Sequence, residues 1–121
     1  MRTIVWRLAV CVFAAMAVAG CGAKNPPQIT VVNSSTSAMT DVLLYGNGFK
    51  QIIDRIEPGE SKTVTVLPKG ESSVTMEAVT PVKYITAKDV GYFEREGGYK
   101  VQITITPELN IETKVDLDIS L

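Results

Sequence analysis

Few residues in this chain can do chemistry. Of 121 residues, 12 are basic, 13 are acidic, two are cysteines and none is histidine. Lacking histidine, the chain cannot assemble a Ser-His-Asp triad, a Cys-His dyad or the usual zinc sites. Carboxylates remain as the acid–base candidates. Glu94 and Glu96 alternate in sequence, as do Asp116 and Asp118, and a retaining glycosidase needs two carboxyls about 5–5.5 Å apart. Asp116 and Asp118, however, interleave with Val115, Leu117 and Ile119. That pattern places them on the wet face of a strand, where charge discourages edge-to-edge aggregation. Asp89, Glu94 and Glu96 offer the oxygens a hard cation wants, without the D-x-D-x-D-G spacing of a calcium loop. The expectation is a protein that is not an enzyme and carries no metal and no cofactor.

Binding is the better use of what is present. From Asp89 to Tyr99 the sequence concentrates three aromatics, three glycines and four charges. Glycine lets backbone approach a partner closely, and tyrosine offers rigid amphipathic contact area. Gly91, Tyr92, Phe93, Glu94 and Tyr99 are therefore the candidate partner-binding loop. The competing use of the same residues is structural: Tyr92 or Phe93 tucks under one end of the fold while Gly97-Gly98 makes a turn. A formal charge of −1 and scattered basic residues give no footprint for nucleic acid, and no small-molecule substrate is expected.

The elements that must position these residues read as strands. Gln28–Asn33 is β-branched and closes on the polar cluster Asn33-Ser34-Ser35-Thr36-Ser37. Asp41–Tyr45 ends at Gly46-Asn47-Gly48, a strong hairpin signal, and Phe49–Ile56 returns from it. Pro58-Gly59 suits the two central positions of a type II turn. Lys62–Leu67 puts Val64 and Val66 on one face, Ser73–Val79 puts Val74 and Met76 toward a core, and Val82–Thr86 follows Pro81. Tyr99, Val101, Ile103 and Ile105 then alternate with polar residues, and so do Ile111, Val115, Leu117 and Ile119 across Pro107–Asn110. Seven or eight short strands with regular turn signals and no sustained 3.6-residue period predict one all-β antiparallel sandwich over 29–121.

The first twenty residues have another purpose. Arg2 and Arg7 are their only charges, and an uncharged apolar run ends in small residues, the layout of a secretory signal peptide. Val18-Ala19-Gly20-Cys21 resembles the lipobox of bacterial lipoprotein precursors. In that family the cysteine thiol, the most nucleophilic side chain available, takes a diacylglyceryl group. A peptidase that recognises the preceding residues, here Val18, Ala19 and Gly20, then cuts before it, and the new amino group is usually acylated. The resemblance implies that Cys21 attaches the chain to a membrane through fatty acyl chains such as palmitate. Gly22, where an aspartate favours retention at the inner membrane, implies the outer membrane. Two other outcomes stay open: Ala17-Val18-Ala19 is an acceptable site for ordinary secretion, and the uncleaved segment would act as an anchor. Residues 21–28 form the lipidated cysteine and a proline-stiffened tether. Removing 1–20 takes away two arginines and leaves 10 basic against 13 acidic side chains, a mildly acidic mature chain.

A second resemblance covers Ile29 to Leu67. Val31-Val32-Asn33-Ser34-Ser35 and Ile56-Glu57-Pro58-Gly59-Glu60-Ser61 are similar to the "V-x-N-x-S" and "I-x-P-G-E-S" turns of bacterial Ig-like envelope modules. Gly91-Tyr92-Phe93-Glu94 is similar to a segment of small uncharacterised proteobacterial lipoproteins. These likenesses imply an Ig-like or fibronectin III-like sandwich outside the cytoplasm and no activity. The functional expectation is a lipid-anchored, periplasm-facing binding or structural module whose partners are the membrane and an unidentified envelope protein. Its alternatives are an inhibitor or immunity lipoprotein against a periplasm-active lysozyme or toxin, and an outer-membrane subunit of a secretion or envelope assembly.

Overall fold

The computed structural model describes residues 25–117. Residues 1–20, the lipobox cysteine Cys21, and Asp118 with Ile119 lie outside the described residues. Eight strands follow in order: β1 Gln28–Asn33, β2 Met39–Gly46, β3 Phe49–Ile56, β4 Ser61–Thr65, β5 Ser72–Val79, β6 Tyr84–Phe93, β7 Tyr99–Ile105 and β8 Ile111–Leu117. They form two four-stranded sheets, ordered β4-β1-β7-β8 and β3-β2-β5-β6, packed as an all-β sandwich. Pairing is antiparallel with one exception, β1 beside β7, which is parallel.

The core follows from the two-residue period of the strands, which sends alternate side chains to one face. Ile29 and Val31 of β1 and Val101, Ile103 and Ile105 of β7 face Val42 and Leu44 of β2, Val74, Met76 and Ala78 of β5, and Ile85 and Ala87 of β6. All are buried. Val64 packs against this core and Val66 is buried in it, as their alternation predicts.

The turns follow their residue chemistry. Glu60 N donates to Glu57 O at 3.0 Å and Gly59 sits at φ 82°, which is the type II turn expected of Pro58-Gly59. At Asn47-Gly48 only the glycine takes positive φ. Asn47 is held instead by the segment leading into β5: its N–H donates to Ser72 Oγ and its Nδ2 to Glu71 O.

β2 shifts register against β5 between Thr40 and Leu43, with Asp41 at φ 50°, and two further elements depart from the alternation. β6 runs ten residues, to Phe93, well past the expected end at Thr86. Its pairing with β5 shifts register twice, with Asp89 at φ 51° and Gly91 at φ 67°. These bulges break the two-residue pattern that marks a strand in sequence. The second departure is β8. Ile111, Val115 and Leu117 share the inward phase through partners Ile105, Val101 and Tyr99. They were expected to face a core, yet Val115 and Leu117 are exposed. β8 is the edge of its sheet, and in the facing sheet the strand that packs on it is β6, itself an edge.

Candidate functional site

The structure splits the segment expected to be a binding loop. Gly91, Tyr92 and Phe93 belong to β6, only residues 94–98 connect, and Tyr99 opens β7. Phe93 is fully buried with its ring centroid 5.8 Å from that of Phe49, so it is a core residue and presents nothing to a partner. Gly91 also serves packing: a Cβ there would stand 2.9 Å from Val101 Cγ1 and 3.5 Å from Thr113 and Val115 methyls. β6 backbone leans on β7 and β8 at this point, and the glycine permits it.

Tyr92 and Glu94 remain at the surface and form one unit. The Tyr92 hydroxyl donates to Glu94 Oε2 at 2.7 Å, and its ring meets Tyr99 edge-on at 6.2 Å. The bond to Glu94 pushes the Tyr92 hydroxyl up to about 12, because ionisation would break it and set two negative charges together. Glu96 lines a shallow surface pocket with Glu94, Glu71 and Arg95, and among the described residues no group of three or more acidic side chains is placed to hold a metal ion. Asp89 lies at the bulge, where its Oδ1 accepts from Ser73 Oγ. Asp116 pairs across the ladder with Lys100 on the exposed face.

A second cluster joins three side chains from three strands through two hydrogen bonds on one carboxylate. On the outer face of the β3-β2-β5-β6 sheet, strand register sets Ile52, Leu43, Glu77 and Thr86 in one row across all four strands. Tyr45 and Tyr84 lie on the rows either side, at diagonal positions within reach of long side chains. Both hydroxyls close on the central carboxylate: Tyr84 donates to Glu77 Oε1 at 2.5 Å and Tyr45 to Glu77 Oε2 at 3.0 Å. These bonds hold the Glu77 carboxyl below the usual carboxylate range, with a smaller contribution from nearby Lys88. They raise both tyrosines above their ordinary value. Around this anchored acid stand exposed apolar groups: Ile52 at 63%, Tyr84 at 57% and Val79 at 40% exposure.

Chemically, the cluster is a negative charge held between two tyrosine rings on a sheet face that also exposes Ile52 and Val79. That suits contact with a cationic or amphipathic group of another molecule, since the ring positions are paid for before contact. The sequence carries half of this signal. Leu43, Tyr45, Glu77 and Val79 all occupy outward phases of their strands, but nothing local says that β5 lies between β2 and β6.

No protein-family model matches the sequence, and no curated protein matches it. The fold is similar to that of a protein from Eubacterium rectale solved by NMR, with a TM-score of 0.56 and 14% identity over 80% of this chain and 95% of that one. At that identity the likeness shows a shared fold and nothing about activity.

Proposed function

We propose that this chain is a lipid-anchored envelope protein, a non-catalytic binding or structural module held on the periplasmic face of the outer membrane by acyl chains on Cys21. The observation that carries the reading is Val18-Ala19-Gly20-Cys21 at the end of a basic-then-apolar leader. Two or three acyl chains suffice for stable anchoring, since each buried methylene contributes about 0.8 kcal/mol and one chain alone is marginal. The outer face centred on Glu77 supports contact with another envelope protein. Globomycin, or the change Cys21→Ser, is expected to block processing and abolish incorporation of labelled fatty acid. Unchanged labelling would refute the anchor.

The Glu77 cluster also favours the inhibitor or immunity reading. An ionised carboxylate locked between two tyrosines is a receptor for a Lys or Arg side chain, the kind of group a basic lysozyme or toxin presents. A tight soluble complex with such an enzyme, weakened by Glu77→Gln, separates this reading from a subunit that docks only on a membrane assembly.

A further inference from the structure

Resting on the lipid anchor proposed above, the geometry points to a bilayer-docking face at one end of the sandwich. The register places the start of β1, the ends of β4, β6 and β8, and the start of β7 at a common end. The β2–β3 hairpin turn joins them through Asn47. Chain from Asn25 onward already belongs to this end. Gly98 N donates to Asn25 O at 2.9 Å, and Val66 N donates to Pro27 O at 3.1 Å. The tether is therefore shorter than the seven residues between Cys21 and Ile29 suggest. Only four residue steps separate Cys21 from Asn25, which reach about 14 Å when fully extended. The opposite turns, at Glu57–Glu60 and Thr106–Asn110, stand roughly the length of the seven-residue β7 further away, about 23 Å.

The near end is cross-tied into one surface. Lys69 N donates to Asn47 O, Asn47 Nδ2 to Glu71 O, and an Arg95 guanidinium nitrogen lies 3.4 Å from Pro68 O. The side chains exposed there are mixed: acidic Glu71, Glu94, Glu96 and Asp116 stand among groups that favour a headgroup layer. Leu67 and Tyr92 are each nearly half exposed and Leu117 is similar, while Lys69, Arg95 and Lys100 supply cationic heads on apolar stems. The occupant assigned to this face is the phospholipid surface that carries the anchor. A protein partner is then left with the side of the molecule that bears Glu77, and Tyr92 with Glu94 turns toward lipid.

After processing, Cys21 is the single cysteine and is blocked by its lipid, so one introduced cysteine takes a fluorophore uniquely. The acylated protein is reconstituted in vesicles of phosphatidylethanolamine and phosphatidylglycerol containing a headgroup-nitroxide quencher. Labels at Lys69→Cys and Glu96→Cys are expected to be quenched several-fold more than labels at Lys83→Cys and Glu108→Cys. Equal quenching at the two ends, or stronger quenching at the far end, overturns the docking face. Intact mass without added acyl chains overturns the anchor and this inference together, so the two failures are told apart.

Discussion

Asn33 shows how much of this fold is written into single polar residues. It is fully buried, and its amide uses every hydrogen-bonding position it owns. Nδ2 donates to Ser37 O at 2.8 Å and Ile56 O at 3.0 Å, while Oδ1 accepts from Ser35 N and Ser35 Oγ. Its backbone N–H donates to Glu60 O, and its carbonyl accepts from Gly59. One residue thus ties the β1–β2 connection to the end of β3 through its side chain and to the type II turn beyond it through its backbone. This gives the "V-x-N-x-S" and "I-x-P-G-E-S" segments a common cause, since each forms half of the same junction. The sequon Asn33-Ser34-Ser35 is closed to a glycan for the same reason, its amide nitrogen being committed. Asn33→Ala would take the donor from buried Ile56 O and the acceptor from buried Ser35 N, and about 2–4 kcal/mol of stability should be lost. Chemical denaturation would measure it, and a loss under about 1 kcal/mol would contradict the junction.

At the scale of the element, β6 carries the most consequence. Its bulges at Asp89 and Gly91 let a ten-residue strand turn its last residues inward, so Phe93 reaches the core while Tyr92 stays at the rim. Gly91→Ala combines a Cβ only 2.9 Å from Val101 with a φ of 67° that side chains resist. A destabilisation of about 1–3 kcal/mol is expected, read as a lower denaturation midpoint with an unchanged slope. Gly59→Ala makes a useful contrast, having the same sign of φ but open space around the added methyl. The same bulges explain what was legible before the structure. β1 and the inward sets of β4, β5 and β7 obey a simple alternation and could be read directly, as could β3 from the turn before it and the turn at Pro58-Gly59. β6 could not, because a bulge inserts a residue and hides the period. The Glu77 cluster was invisible for another reason: its three members come from three strands, and their adjacency is a property of sheet order. β8 misled because phase reports which side a residue faces, whereas burial also requires something on that side.

For the molecule as a whole, the tyrosine–carboxylate pairs set a pH window. Glu77 has its pKa lowered by Tyr84 and Tyr45, so its contribution is present above the ordinary carboxylate value of 4.5 and is lost as pH falls through the depressed one. Tyr45, Tyr84 and Tyr92 have theirs raised, so their contributions are present below the ordinary 10.0 and are lost as pH rises, for Tyr92 through about 12. Thermal midpoints should therefore stay level from above pH 4.5 to near 10 as far as these groups act. Phenolate absorbance should show a late step near 12 that Tyr92→Phe removes and Glu94→Gln lowers. A Tyr92 step at the ordinary value would break the pairing. The parallel ladder between β1 and β7 reaches further still, into time. β1 is an interior strand, and its second neighbour is made of residues 100–105, far along the chain from it. Until β7 arrives, Ile29 and Val31 lack half their sheet. Such long-range pairing carries a loop-closure cost before any contact repays it and makes folding slow. The sheet that holds β1 can therefore close only after the whole of the other sheet has been made, since β2, β3, β5 and β6 all lie between β1 and β7 in the chain.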